Sequence, residues 1–342
     1  MKYYTFNPNE SFWAVLGIMR FLLATIVYFV HLKPFVQLPV PLLFEQVILF
    51  GGKTAVIGFL VISGVSIGYS YRKAKEGYWK RRFLRIYPLY FFAVLLTVLL
   101  QHFLGSPYPV QNWTLNAAGW LTNVANFFFL QEFVSITITY NIALWSLSIE
   151  VFFYLLVPFL FKLPVQLLYL MVVSSMFFFT FFHFNILYGY SALVFAWPWL
   201  IGFLLSAKQE RISIILFLIA GLVIVGTNTT ITGEKLSWLT FLIVALILIY
   251  STVAVELPPA VVKIFNYLGE LSYPIYVFHL PVYLILSHIG VRNVWLYCLL
   301  MLLSIVPINH VFDHWLKKVF WKPLVERIDK GFTIYHIAVN KR

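Results

Sequence analysis

Apolar segments of about 20 residues follow one another along most of the chain, and this repetition limits what the protein can fold into. Of its 342 residues, 62% are hydrophobic and only 11% are charged. Soluble domains are about 45–50% apolar and about 25% charged, so an ordinary soluble enzyme with a charged surface is excluded. The pattern predicts an all-α fold, a polytopic transmembrane helical bundle of about ten transmembrane helices.

The ten predicted helices are separated by charged residues, Pro or Gly. They cover residues 12–31, 54–71, 84–104, 143–161, 165–184, 187–207, 212–228, 237–256, 268–288 and 293–315. We assign residues 1–316 to one transmembrane domain and residues 317–342 to a short basic cytoplasmic tail. Residues 113–130 are apolar and aromatic enough to lie at the membrane interface without crossing it. Because Arg20 interrupts the first apolar run and no cleavage site follows, this run is not expected to be a cleaved signal peptide.

The basic residues predict the orientation in the membrane. With the N-terminus in the cytoplasm, 19 of the 24 Lys and Arg residues fall in cytoplasmic segments. Only four fall on the outer side: Lys33, Lys53, Lys235 and Arg292. Cytoplasmic loops carry such an excess, so both termini are expected in the cytoplasm, and the net charge of +12 indicates topology rather than nucleic-acid binding. The single cysteine, Cys298, excludes an intrachain disulfide.

Arg20, near the middle of the first helix, is the first of two charges that lie where lipid should not tolerate them. An ionisable group in the hydrocarbon costs about 2.5–3.5 kcal/mol, so Arg20 needs a partner or a purpose. His31 follows eleven residues later, which is within about 20° of three helical turns, so both side chains point the same way about 16 Å apart. Arg20 could instead pair with a carboxylate for stability, and His31 could cap the helix at the interface.

Glu150 is the second charge expected inside the membrane, in the outer half of the fourth helix. Ser146 precedes it by four residues and shares its face. A carboxylate near a histidine at similar depth orients and charges a general base, so we expect Glu150 beside His31. A structural ion pair between Arg20 and Glu150 is the alternative.

The loop before the third helix carries seven basic residues between positions 72 and 85. Arg82 and Arg85 are three residues apart where the helix begins, so they share a face. Because guanidinium groups bind phosphate bidentately, this pair suits a polyphosphate ligand. Anionic lipid headgroups or a positive-inside loop alone are the competing interpretations.

The ninth helix combines Pro274, Tyr276, His279 and Pro281. Prolines inside a membrane helix free backbone carbonyls, which is tolerated where helices pack or a cavity is lined. His279 is then a hydrogen-bonded core histidine or a site residue. The other histidines show no metal-ligand spacing, and no metal site is indicated.

Several segments together resemble the acyltransferase 3 family of integral membrane O-acyltransferases, which modify cell-surface glycans. Five motifs occur in the family's order. They are Arg20 with His31, Gly58 to Ser63-Gly64, Arg82-x-x-Arg85-Ile86-x-Pro88, Trp145-Ser-Leu-Ser-Ile-Glu150, and Ser272-Tyr-x-x-Tyr-x-x-His279. The chain departs from many members after Gly64, where Val65-Ser-Ile-Gly68 stands in place of bulkier residues.

The resemblance implies an enzyme that moves a short acyl group, by default acetyl, from acyl-CoA to a hydroxyl of an exported or lipid-linked surface polysaccharide. It also implies a bacterial plasma membrane location, with acyl-CoA as donor substrate rather than a resident cofactor. His31 is expected to act as general base with Glu150 as its partner. Arg20 would stabilise the oxyanion or shift the titration of its neighbours.

The remaining expected site residues divide between donor and acceptor. Ser63 joins Arg82 and Arg85 at the donor. The acceptor residues are Trp145, Ser146, Tyr273 and His279.

Donor and acceptor are expected on opposite sides of the membrane. The acyl carbon must therefore travel about 30 Å from the cytoplasmic surface, through a funnel, to a deeper His31, or by a covalent relay on Ser63, Ser146 or Ser148. Two other functions stay open. One is a transporter or flippase for a lipid-linked glycan that uses the buried charges as a relay. The other is a scaffold for envelope assembly, a function that would not explain the charges inside the membrane.

Overall fold

The computed structural model describes residues 6–36, 39–111, 113–181, 189–227, 230–231, 234–235, 238–250 and 256–329. These residues form helices and two short antiparallel hairpins, so the all-α prediction is confirmed. The first seven helices are α1 (Glu10–Leu32), α2 (Leu42–Ile48), α3 (Gly52–Lys73), α4 (Tyr78–Leu104), α5 (Trp120–Phe127), α6 (Trp145–Leu160) and α7 (Val165–Phe181). The other six are α8 (Tyr190–Val194), α9 (Ala196–Ala207), α10 (Ile212–Thr227), α11 (Trp238–Tyr250), α12 (Pro259–His288) and α13 (Val294–Ile308).

The strands are short and lie between helices. β1 (Tyr108–Val110) pairs with β2 (Trp113–Leu115), with Tyr108 opposite Leu115. β3 (Thr230–Ile231) pairs with β4 (Glu234–Lys235). Short 3₁₀ helices extend the bundle helices, at Lys33–Phe35 after α1 and at Thr139–Leu144 before α6.

Within the described part of the chain, five helical segments are long and apolar enough to cross a membrane. They are Glu10–Phe35, Gly52–Lys73, Tyr78–Leu104, Thr139–Leu160 and Val294–Asp329. Large apolar side chains such as Leu155, Phe159 and Leu303 are about 60% exposed, as expected where a helix faces lipid rather than water. The chain is therefore an integral membrane protein, while the number of about ten crossings stays a prediction.

Two helices begin earlier than the sequence predicted. α4 begins at Tyr78 rather than 84, directly after Gly77, whose φ of +62° is a conformation that glycine adopts at little cost. The basic residues there, which the sequence analysis assigns to a loop, are good helix formers. α12 begins at Pro259 rather than 268, because proline is well placed at the first position of a helix.

The predicted helix over 187–207 is broken in the structure. α8 ends at Val194 and α9 begins at Ala196, with Phe195 outside the helical region at φ −98° and ψ 12°. Residues 182–188, which include the predicted start, lie outside the described residues.

The last predicted helix extends well beyond 315. α13 continues as π-helix over Asn309–Trp315 and Lys317–Trp321, and helical backbone runs to Asp329. The boundary predicted at 316 therefore falls inside a helix, and residues 330–342 of the predicted tail lie outside the described part of the chain.

The α8–α9 break leaves α9 packed closely along α3. A Cβ atom on Gly64 would lie 2.0 Å from the carbonyl oxygen of Trp199, and one on Gly202 would lie 2.2 Å from that of Val61. Small residues allow such close backbone contact between membrane helices. Within the Ser63-Gly64 motif, Gly64 is therefore required for the packing of α9 against α3.

α1 and α12 approach each other in the same way. A Cβ atom on Gly269 would lie 2.6 Å from the Cα atom of Gly17. The Tyr283 hydroxyl on α12 donates a 2.9 Å hydrogen bond to the carbonyl of Tyr28 on α1. These contacts fix the two helices that carry most of the site described below.

The α3–α9 contact gives a stability prediction. We expect Gly64→Ala to destabilise the folded protein by about 3 kcal/mol, because the added methyl meets backbone that cannot move aside. Gly119→Ala is the matched control, since a Cβ there meets nothing within 4 Å and should cost less than about 1 kcal/mol. Thermal unfolding of both variants in one detergent checks this. Equal melting temperatures would contradict the packing role of Gly64.

Candidate active site

Two large cavities open at opposite ends of the helical bundle. The first, which we name the basic cavity, has a volume of about 960 Å³ and opens where α3 ends and α4 begins, at Lys73 and Arg82. The second, the histidine cavity, has a volume of about 1000 Å³ and opens where α1 ends and α3 begins, at His31 and Lys53. Polar groups of a membrane protein are thus gathered around internal space rather than facing lipid.

The basic cavity carries an excess of positive charge. Five cationic side chains line it: Arg20, Lys73, Arg82, Arg85 and Lys317. Three carboxylates face them: Glu150, Glu270 and Asp313. Such an excess in a sheltered cleft attracts a polyanion.

The basic cavity is also deep. Its lining on α3 runs from Ala74, just past the end of the helix, back to Val56, and eighteen residues rise by about 27 Å. The histidine cavity is lined on α3 from Gly52 only as far as Val56, about 6 Å. Val56 and Tyr276 line both cavities, so the two meet at their level. A funnel through the bundle, one of the three routes considered for the acyl group, stays a prediction.

His31 lines the histidine cavity and is hydrogen-bonded to His279, with 3.0 Å between its Nδ1 and Nε2 of His279. Nδ1 of His279 lies 3.1 and 2.9 Å from the carbonyl oxygens of Ile275 and Tyr276. Because carbonyl oxygens only accept hydrogen bonds, this nitrogen carries a proton. Nε2 of neutral His279 is then an acceptor, and Nδ1 of His31 donates to it.

This assignment of protons leaves Nε2 of His31 with a free lone pair. A histidine held in this tautomer by a partner on its other nitrogen is prepared to accept a proton from a ligand. The partner is His279, which is fully buried and lines neither cavity. His279 is therefore the residue that orients His31.

Glu150 does not have the position that the sequence predicted. It lines the basic cavity, and its Oε1 accepts a hydrogen bond from the hydroxyl of Tyr154. The Tyr154 hydroxyl in turn lies 3.1 Å from Oγ of Ser63, which is thus the donor in that contact. Glu150 has no hydrogen bond to His31, and the two residues line different cavities.

Arg20 also lies in the basic cavity and not beside His31. Its Nη2 donates a 2.6 Å hydrogen bond to Oγ of Ser66. Among the described residues it forms no ion pair with Glu150 within 4.0 Å, so the structural pair proposed as an alternative is not formed. Both arginine and carboxylate are half-buried, because each faces the cavity.

Arg82 and Arg85 lie together at the mouth of the basic cavity, as their spacing predicted. Nη2 of Arg82 donates a 3.3 Å hydrogen bond to Oγ of Ser70. Its Nε is buried and has no partner among the described residues. A buried donor left unpaired costs about 1–3 kcal/mol, which a bound anion would recover.

The other predicted site residues are divided between the cavities. Trp145 lines the histidine cavity, whereas Ser63, Ser146 and Tyr273 line the basic cavity. The Tyr273 hydroxyl donates to the carbonyl of Ile86 at 2.9 Å, tying α12 to α4. With His279, which lines neither cavity, the four residues expected around one acceptor thus lie in three different places.

The serines considered as acyl carriers have no base beside them. Oγ of Ser63 bonds to Tyr154, Oγ of Ser146 to Tyr276, and Oγ of Ser148 to the carbonyl of Trp145. An activated nucleophile needs a general base within hydrogen-bond reach. These contacts favour direct transfer over a covalent relay.

Glu132 is a site residue that the sequence analysis missed. It is the one carboxylate that lines the histidine cavity, as judged from the described residues. Its two oxygens accept hydrogen bonds from Thr137, at 3.2 Å, and Ser191, at 2.8 Å. A signal was available, because Glu132 is the only charged residue between positions 105 and 142.

The fold and these two cavities define a polytopic membrane protein with a sheltered, oriented histidine. The profile described as an acyltransferase domain matches residues 13–308. The chain therefore belongs to the acyltransferase 3 family, and it is an acyltransferase, as the motifs predicted. Searches of curated proteins and of solved structures find no match.

The two openings can be tested by cysteine labelling in a Cys298→Ser background. Ala74→Cys at the basic cavity should react with a membrane-impermeant maleimide only from the cytoplasmic side. Thr139→Cys at the histidine cavity should react only from the opposite side. Leu155→Cys, which is 60% exposed on α6 but lines neither cavity, should react from neither. Labelling of Ala74→Cys and Thr139→Cys from one and the same side would refute the opposed openings.

Proposed function

We propose that this protein is an O-acyltransferase that moves a short acyl group, acetyl by default, from acyl-CoA to a hydroxyl of an exported or lipid-linked surface polysaccharide. The observation that carries the proposal is the meeting of a deep basic cavity and a histidine cavity beside an oriented His31. We place it in a bacterial plasma membrane with both termini in the cytoplasm. On this orientation the basic cavity opens to the compartment that supplies acyl-CoA.

The donor binds in the basic cavity. Arg82 and Arg85 at its mouth take the phosphates, and the unpaired Nε of Arg82 supports this assignment. The thioester arm extends along α3 towards Val56. Arg20 lies about 16 Å below His31 along α1, too far to touch an oxyanion formed at His31, so we assign it to the donor.

The acceptor binds in the histidine cavity. Trp113 and Trp145 offer flat apolar faces there, and Glu132 offers a carboxylate held in place by two hydroxyls. Aromatic faces and hydrogen-bonding carboxylates together suit a sugar ring with several hydroxyls. Lys33 and Lys53 add positive charge, which suits the phosphate of a lipid-linked acceptor.

The reaction proceeds by direct transfer. Nε2 of His31 takes the proton of the acceptor hydroxyl while its oxygen attacks the thioester carbonyl carbon. The carbon–sulfur bond then breaks, and the thiolate takes the proton back from His31. His279 keeps the ring in the required tautomer and shares the positive charge that forms on it.

Donor binding gives the first test of this function. We expect Arg82→Gln with Arg85→Gln to weaken acyl-CoA binding about 10- to 100-fold, since each lost charge-assisted hydrogen bond costs about 1.5 kcal/mol at most where solvent screens it. The control is Lys318→Gln with Lys322→Gln, which removes two cations that do not line the basic cavity. Binding of acetyl-CoA to purified protein, measured by calorimetry, checks this. Equal affinity of the two double variants would exclude the arginine pair as the phosphate site.

The histidine pair gives a second, independent test. We expect His31→Ala to retain acetyl-CoA binding and to lose about 10³-fold in transfer, the usual contribution of a general base. His279→Ala should lose less, because it disturbs the tautomer of the base without removing it. Mass spectrometry of surface glycans from cells expressing each variant reports the reaction, the acyl group and the acceptor together. Normal acylation by His31→Ala at normal protein level would overturn His31 as the base, and a transporter would show neither pattern.

A further inference from the structure

Tyr276 occupies the place where the two cavities meet. Its side chain lines both of them, together with Val56, and it is 6% exposed. His31 lines only the histidine cavity, and the arginine pair lines only the basic cavity. A thioester that enters past Arg82 and reacts beside His31 must therefore pass the ring of Tyr276.

The Tyr276 side chain is held by two hydrogen bonds of its hydroxyl and by a ring contact. Its hydroxyl donates a 3.0 Å hydrogen bond to the carbonyl of Ala143 and accepts one of 2.6 Å from Oγ of Ser146. Its ring and that of Phe59 form a T-shaped contact with 5.5 Å between their centroids. Both hydrogen-bond partners belong to the chain segment that leads into and begins α6, so the ring bridges α12 and α6.

The geometry points to Tyr276 as the residue that, with Val56, selects the acyl group by size and keeps water from the thioester. This inference rests on the proposed function and adds a part that the function does not require, since acyl transfer alone needs only an open passage. A short acyl group passes between the Tyr276 ring and Val56. A longer one needs the ring to leave its two hydrogen bonds.

A closed passage would protect the thioester from hydrolysis. Water in a continuous channel would attack the thioester carbonyl carbon in place of the sugar hydroxyl. The carbon–sulfur bond would break, the proton of the water would pass to the thiolate, and the products would be the free carboxylic acid and the CoA thiol. Exclusion of water from a reactive intermediate is a common task of active-site closure.

Thiol release from acyl-CoA in the absence of acceptor tests the inference. Purified full-length protein in lipid nanodiscs is given acetyl-CoA or butanoyl-CoA, and the free thiol is measured. We expect Tyr276→Ala to release thiol from butanoyl-CoA at least about tenfold faster than the wild type. The ratio of butanoyl to acetyl turnover should rise by about 10-fold or more, the effect of a few methylenes on binding in an apolar site.

Matched variants separate the ring from its hydroxyl. Tyr276→Phe keeps the ring but removes both hydrogen bonds of its hydroxyl, so thiol release and the butanoyl-to-acetyl ratio should each rise a few-fold, less than in Tyr276→Ala. Val56→Ala widens the passage from the other side and should raise the ratio in the same direction as Tyr276→Ala. Phe159→Ala, a large exposed aromatic on α6 that lines neither cavity, should behave as the wild type.

The outcomes distinguish this inference from the proposed function. If the wild type binds acetyl-CoA and acylates glycans, but Tyr276→Ala and Val56→Ala change neither ratio nor thiol release, the selection role of Tyr276 is wrong. If Tyr276→Ala does not fold, Val56→Ala decides alone. If the wild type neither binds acetyl-CoA nor acylates glycans, the proposed function fails and the inference fails with it.

Discussion

The hydrogen bond between His31 and His279 is the interaction on which the rest of the site depends. It joins α1 to α12, and it sets which nitrogen of His31 is free. It forms because Gly17 and Gly269 let the same two helices touch along their backbones. In hydrocarbon an unpaired imidazole is costly, so each ring also supplies the partner that the other needs. The packing of α1 against α12, the hydrogen bonding of the two rings and the tautomer of His31 therefore depend on the same contacts.

In the proposed function, the two cavities let the acyl group reach His31 from the far end of the bundle without a covalent carrier. A donor held at the start of α4 and a base at the end of α1 lie near opposite ends of the bundle. The basic cavity covers most of that distance, about 27 Å along α3, and ends at the level of Val56. The histidine cavity extends only about one helical turn along α3, from Gly52 to Val56, to reach the same level. In the function proposed above, donor and acceptor therefore approach the same wall from two compartments.

The sequence predicted directions of side chains well and their neighbours less well. Eleven-residue spacing placed Arg20 and His31 on one stripe of α1, and a three-residue spacing placed Arg82 beside Arg85. The expected partnership of Glu150 with His31 failed, because helical periodicity fixes a face and a depth but not which cavity that face borders. The wall between them is Tyr276, which comes from a helix more than 100 residues later in the chain. Glu132 was missed for a related reason: it lies in a loop, where no periodicity points to a site.

Boundaries failed where charge was taken as the end of a helix. α4 and the helix after α13 both carry Lys and Arg residues within helical backbone, and three of these, Arg82, Arg85 and Lys317, line the basic cavity. Cations inside the first or last turns of a membrane helix can reach the interface or a polar cavity, so a charged residue marks the edge of the apolar stretch rather than of the helix. This is why the shared face of Arg82 and Arg85 was predicted correctly, whereas the start of the helix that carries them was not.

The position of Tyr276 on α12 limits how the passage can open. The carbonyl of Tyr276 accepts the hydrogen bond that fixes the proton on Nδ1 of His279, and His279 fixes His31. In the proposed reaction, a movement of the α12 backbone at Tyr276 would therefore disturb the base at the moment when the thioester arrives. Rotation of the Tyr276 side chain leaves the carbonyl in place. Opening by side-chain rotation is thus the movement that keeps the base prepared while the acyl group passes.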